Sequence, residues 1–280
     1  MRAYRVAYDG RPYHGFQRQP DVDTVEGRLR SALVRLGVCE RGDGLPERYA
    51  AAGRTDAGVS ARAQTVAFDA PAWLSPSAFN GELPTDVRVW ASTDVTDDFH
   101  ATHDATERTY TYYLYAPTDA DRPGRDPVDD GRWADAVAAL AGSHDFHNLT
   151  SDDTGTERTV AIDWHRDGPF LVVRVRAGGF CRQLVRRLVS LAAAVADGSA
   201  PLSKVDRVLS PDTVAGPDGV PPVSAEPLVL SDVCYPDVTF TPDEDAAADA
   251  QAVFARRRAN AQTAARVAGH VADGLSGGRD

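Results

Sequence analysis

Residues 51–64 read AAGRTDAGVSARAQ, a run of small residues that sets Arg54 and Asp56 two apart between Gly53 and Gly58. Its apolar members are too small to build a core, and its glycines permit backbone angles and close approaches denied to other residues. With its flanks it becomes RYAAAGRTDAGVSARAQTVAFD at 48–69, which reads as a short strand, a glycine-bounded loop and a second strand with Val66 and Phe68 on one face. Residues two apart in extended backbone project to the same side, so the spacing predicts the Arg54 guanidinium beside the Asp56 carboxylate. Such an arginine favours the ionised acid, ready as nucleophile or base. Taken alone, the pair reads more simply as a salt bridge in a turn, the commoner role of Asp beside Gly.

Upstream, Tyr4, Val6 and Tyr8 alternate as in a strand that ends at the turn YDGRPYHG. A helix is predicted next, capped by Asp23 with Glu26 three residues on, and with Val25, Leu29, Leu33 and Leu36 as its buried stripe. Downstream, RTYTYYLYA at 108–116 begins a similar order: an aromatic strand, a helix around Trp133, Val137 and Leu140, then a hairpin turning at Asp167-Gly168 into FLVVRV. A longer helix marked by Phe180, Leu184, Leu188 and Val195 follows, and EPLVLSDVCY adds one more strand. The expectation is an α+β fold of two similar halves, 1–102 and 103–240, each with helices on one face of an antiparallel sheet and the active-site cleft between them. Residues 241–280, rich in Ala, Asp and Arg, are expected to be an appended polar helix or a tail.

The chain has 280 residues, 42% of them hydrophobic, enough to bury a core in one large or two ordinary domains. No apolar run is long enough for a membrane span and the first residues lack a signal-peptide core, which predicts a cytoplasmic protein with no membrane partner. Cys39, Cys181 and Cys234 are odd in number and far apart, the pattern of reduced, buried thiols. The net charge is -11, and Lys204 is the only lysine among 30 basic residues. Excess aspartate with so little lysine predicts a salt-rich cytoplasm, although a GC-rich genome also favours Arg over Lys. The negative sum does not exclude nucleic acid: at about 1 M salt the Debye length is roughly 3 Å, so recognition rests on local contacts.

Two further segments suit a partner with phosphates and bases. YDGRPYHGFQRQ at 8–19 interleaves Arg11, His14, Gln17, Arg18 and Gln19 with aromatics, and AGGFCRQLVRRLV at 177–189 sets Arg182 and Arg186 at i, i+4 behind two glycines. Each has a plain rival, a polar turn in the first case and the solvated side of an amphipathic helix in the second. Among Tyr110, Tyr112, Tyr113 and Tyr115, alternation sends some to the core and others outward, where one could stack on a base. His100, His103 and Asp104 complete no metal set, nor do His144 and His147, and there is no Walker loop, G-x-G-x-x-G or G-x-S-x-G. No metal and no cofactor are expected.

Taken in order, YDGRPYHGFQRQ, AGRTDAGVSA, DFHATHDATERTYTYYLY, HDFHNLTSDDTGTERTV and GGFCRQLVRRLV resemble the tRNA pseudouridine synthase A family over residues 4 to 236. The resemblance implies an isomerase that detaches, turns and rejoins uracil at positions 38 to 40 of the tRNA anticodon arm, working as a symmetric homodimer without a cofactor. By its pattern Asp56 matches the essential aspartate, Arg54 the arginine that pairs with it, Tyr110 the tyrosine that packs on the target base, and Arg186 a helix arginine near the site. Two departures stand out, Ser60 where the bacterial motif has His, and Arg182-Gln183 where it has His-His. An RNA-binding protein of the same fold without catalysis is the alternative, disfavoured by the presence of Asp56.

Overall fold

The computed structural model describes residues 1–42, 44–118, 127–214 and 216–276. The first part of the chain folds as β1 (Arg2–Tyr8), α1 (Val25–Arg35), β2 (Ala50–Ala51), β3 (Ser60–Phe68), α2 (Pro76–Asn80) and β4 (Val87–Asp94). The second part is β5 (Glu107–Tyr115), α3 (Asp130–Leu140), β6 (Gly142–Asp145), β7 (Glu157–Asp167), β8 (Phe170–Ala177), α4 (Leu184–Ala196), α5 (Ser203–Leu209) and β9 (Leu228–Cys234). β10 (Thr241–Pro242) and α6 (Glu244–Ser276) close the described chain. The strands form one sheet in the order β10-β4-β1-β3-β9-β5-β8-β7-β6, with β2 paired to β3 beside this path. The architecture is α+β.

β1 lies between β3 and β4, and β5 between β8 and β9, so in each part the first strand is central. The two parts meet where β3 pairs in parallel with β9 through Ser60↔Val229 and Ala61↔Leu230. This junction is only two residue pairs wide, and it places the loop before β3 against the second part of the chain. One core gathers Tyr4, Phe68 and Phe79 with Leu29 and Leu33 of α1; Tyr4 stacks on Phe68 at 5.3 Å and meets Phe79 edge-on at 5.8 Å. The other gathers Trp133, Val137 and Leu140 of α3 and Leu184, Leu188 and Val195 of α4 over Tyr112, Leu171, Val173 and Val175.

Local chemistry moves some boundaries. α1 is capped by Thr24, whose hydroxyl accepts the Gly27 N–H at 3.2 Å, while Asp23 pairs with Arg28 at 2.6 Å and Glu26 accepts the Arg18 N–H at 2.8 Å. The capping box expected from Asp23 and Glu26 is therefore absent, because Glu26 is drawn to the turn instead. α4 begins at Leu184 after Gln183, which has φ 60, so Phe180 and Arg182 precede the helix and the expected i, i+4 face of Arg182 and Arg186 does not form. α2, β4 and α5 went unread, although Ser75 accepting the Ala78 N–H with Pro76 behind it is a regular helix start.

α6 begins as a packed helix, with Ala246, Ala250 and Val253 buried. Val87 and Val89 of β4 face the core, so Arg88 points to the opposite side of the sheet, where it pairs with Asp249 of α6 at 2.7 Å. Residues 277–280 of the expected tail lie outside the described residues. Cys181 is buried, but Cys39 is half-buried and Cys234 exposed, so the expectation of three buried thiols holds for one. No helix among the described residues is long and apolar enough to cross a membrane.

Candidate active site

A cleft of about 1230 Å³ opens between the loop that joins β2 to β3 and the segment that leads into α4. Residues 53–59 of the loop lie outside both strands and are held by main-chain contacts to the turn after β1. The Thr55 carbonyl accepts the Phe16 N–H at 3.0 Å, the Tyr13 carbonyl accepts the Gly58 N–H at 3.2 Å, and the buried Thr55 hydroxyl lies 2.8 Å from that of Tyr8. These approaches need glycine. A Cβ on Gly10 would lie 2.0 Å from the Val59 carbonyl oxygen, and Gly15, at φ +100, would bring one within 3.0 Å of that of Thr55. With Thr55 turned inward, Asp56 is left facing the cleft.

The partner of Asp56 is Arg186. Its Nη1 donates to Asp56 Oδ2 at 3.2 Å and its Nε to the Val223 carbonyl at 2.8 Å, with the two side chains 14% and 34% exposed respectively. The pairing of Asp56 with Arg54 is thereby corrected: Arg54 is exposed, lines the cleft and forms no ion pair among the described residues. The two-residue period that motivated the pair belongs to strands, and this loop is not one. Arg186 binds from the far wall, so the ion pair spans the cleft floor.

Tyr110 of β5 stands beside this pair, half-buried, its ring edge-on to Phe180 at 5.1 Å. Burial pushes its phenol up to about 12, Arg108 opposing and the negative Asp56 adding to the shift. Arg108, which the sequence reading passed over, ties the walls together. Its Nε and Nη2 donate to the Ala52 carbonyl at 2.9 and 2.7 Å, Nη2 also to Thr102 at 2.7 Å, and Nη1 to Gly178 at 2.5 Å. The signal available was its place in ERTY, two residues before Tyr110.

His14, Gln17, Gln19, Arg158 and Arg182 complete the rim, whereas Arg18 is exposed and is not part of the cleft wall. Arg182 is held by Asp152, through its N–H at 2.7 Å and its guanidinium at 3.8 Å. Arg158 keeps a buried Nε with no hydrogen-bond partner among the described residues. Ser60 accepts the Gly10 N–H at 3.0 Å and is not part of the cleft wall, so this departure lies at the strand junction and away from Asp56. His100 is a turn cap, its Nδ1 accepting the Thr102 N–H at 3.2 Å. A carboxylate beside an anchored guanidinium, two aromatic rings and a rim of arginines suit a single nucleotide held by its base and its phosphates.

Comparison with known proteins supplies the class of enzyme to which this cleft and α+β sheet belong, that of the pseudouridine synthases. Residues 136–236 match the family described as tRNA pseudouridine synthase. The chain is 84% identical to the tRNA pseudouridine synthase A of Haloarcula marismortui over 98% of its own length and 100% of the relative. It is 60% identical to that of Natronomonas pharaonis (96% and 98% covered) and 34% identical to that of Methanocella arvoryzae (92% and 89%). The chain belongs to the tRNA pseudouridine synthase A family.

Proposed function

We propose that the chain converts uridine to pseudouridine at positions 38 to 40 of the tRNA anticodon arm, with Asp56 as the carboxylate that engages the flipped nucleotide. The family supplies the reaction, isomerisation of uridine to pseudouridine in tRNA. One observation carries the assignment of residues: Asp56 is held across the cleft floor by Arg186 beside the ring of Tyr110. Flipping a stacked base costs a few kcal/mol, offset by stacking on Tyr110 and by phosphate contacts to rim arginines such as Arg54 and Arg182. The glycosidic bond between ribose C1′ and uracil N1 breaks, the base turns, and a bond from C1′ to C5 forms as C5 gives up its proton to water and the freed N1 takes one up. Reactant and product are isomers, so no electron or group is supplied from outside. Arg186, donating to Asp56 Oδ2 at 3.2 Å, orients the carboxylate for this work.

Mapping tests the positions directly. Carbodiimide adducts on tRNA treated with the protein are expected to stop reverse transcription at positions 38 to 40; modification only at other uridines would overturn the assignment. A symmetric homodimer is part of the same reading, and sedimentation of the protein at twice the 30.0 kDa chain mass is the expected result. The aspartate-rich, lysine-poor surface supports a protein that needs salt to stay folded. Full stability of the purified protein in dilute buffer would refute that need.

A further inference from the structure

The last helix carries a surface that the cleft does not use. From residue 258 to residue 275 every residue of α6 is exposed, so roughly 27 Å of helix stands clear of the body at about 1.5 Å per residue. Arg257 marks the exit. Its guanidinium donates at 2.7 Å to Asp9, the same carboxylate that holds Arg11 at 2.9 and 2.6 Å. Asp9 opens the turn whose His14 and Gln17 line the cleft, so the arm departs beside that turn.

Charge changes sign along α6. Glu244, Asp245 and Asp249 fall in its packed start, whereas residues 250–272 hold Arg256, Arg257, Arg258 and Arg266 and no carboxylate. Arg256, Arg258 and Arg266 are exposed and have no ion-pair partner among the described residues. In a chain of net charge -11 such a stretch is unusual. A second acid-free stretch with several arginines, 170–196, supplies Arg182 and Arg186 to the cleft.

We propose that residues 256–275 form a basic arm that grips the sugar–phosphate backbone of tRNA beyond the stem-loop that enters the cleft. The proposal rests on the tRNA substrate assigned above. Val267, Val271 and Leu275, 60%, 56% and 80% exposed, continue the helix face that is buried at Ala246, Ala250 and Val253. A second copy's arm is the rival occupant of that face. Pairing two arms would bring Arg256, Arg258 and Arg266 of each copy together, six arginines with no carboxylate among residues 250–272 to neutralise them, whereas phosphates neutralise each one.

The test is the triple variant Arg256→Gln, Arg258→Gln, Arg266→Gln, whose exposed positions leave the core untouched. Filter binding and turnover are measured on whole tRNA and on an isolated anticodon stem-loop across a salt series. Each lost phosphate contact removes about 0.7–0.9 from the slope of log affinity against log salt, so a fall of about 2–3 is expected for whole tRNA. KM for whole tRNA rises while kcat, and both constants on the stem-loop, stay at wild-type values. Unchanged affinity and slope on whole tRNA would overturn the arm, as would self-association lost in Val267→Ser, Val271→Ser with tRNA binding intact. If the wild type binds tRNA with an arginine-dependent slope yet modifies no uridine, the arm stands and the reaction assignment fails.

Discussion

The two walls of the cleft are fixed by opposite means. On one side Asp56 rides a loop clamped by main-chain contacts, and what makes them is the missing side chains of Gly10 and Gly15. On the other, long side chains do the work: Arg108 and Arg186 reach the carbonyls of Gly178 and Val223. The difference separates two requirements. A reacting carboxylate must hold its place to within a fraction of an ångström, and backbone packing permits little else. A wall proposed to receive RNA needs donors, and Arg186, with Nε spent on a carbonyl and one N–H of Nη1 on Asp56, keeps its remaining N–H groups for a ligand, whereas Arg108 spends nearly all of its own on carbonyls.

Substitutions on each wall should break this contrast by different amounts. Asp56→Asn removes the only group assigned to the chemistry, and turnover is expected to fall by at least about 1000-fold with tRNA affinity kept. Gly10→Ala forces a Cβ to 2.0 Å from the Val59 carbonyl; the strain should lower unfolding free energy by about 1–3 kcal/mol, read from denaturant midpoints. Tyr110→Ala removes the stacking surface and should cost about 1–3 kcal/mol in kcat/KM. Arg182→Gln, on the rim and already paired with Asp152, should change tRNA affinity by less than about 1 kcal/mol and mainly flatten its salt dependence.

The same contrast has a pH signature. Burial pushes the phenols of Tyr110 and Tyr112 up to about 12, against about 10 for an exposed tyrosine. Between those values the unfolded chain gives up protons that the fold retains, so stability is full below pH of about 10 and falls as pH rises toward 12. Thermal midpoints recorded across that window should decline, and Tyr112→Phe should make the decline shallower.

Elements with a strong period were legible in the chain. The alternation of Tyr4, Val6 and Tyr8, the Asp167-Gly168 hairpin and the helix around Trp133 each fall where local pattern puts them, because each buries one face on a continuous core. Asp56, Tyr110 and Arg186 were singled out by the family resemblance, and all three line the same cleft. What local pattern missed is set by long-range contact. The pairing of Asp56 with Arg186 joins positions 130 residues apart, and Arg108 reaches 56 residues back to Ala52 and 70 forward to Gly178. The αL residue Gln183, which ends the turn before α4 and removes Arg182 from the helix, has no glycine to announce it.

The central claim is that Asp56 carries the reaction and that the rest of the cleft positions RNA for it. Formation of the carbon glycoside expels the hydrogen on uracil C5, so tRNA tritiated there reports each turnover as tritium in water. Wild type is expected to release it in high salt, and Asp56→Asn to release none while binding tRNA as tightly as wild type. Release by Asp56→Asn at the wild-type rate would contradict the account.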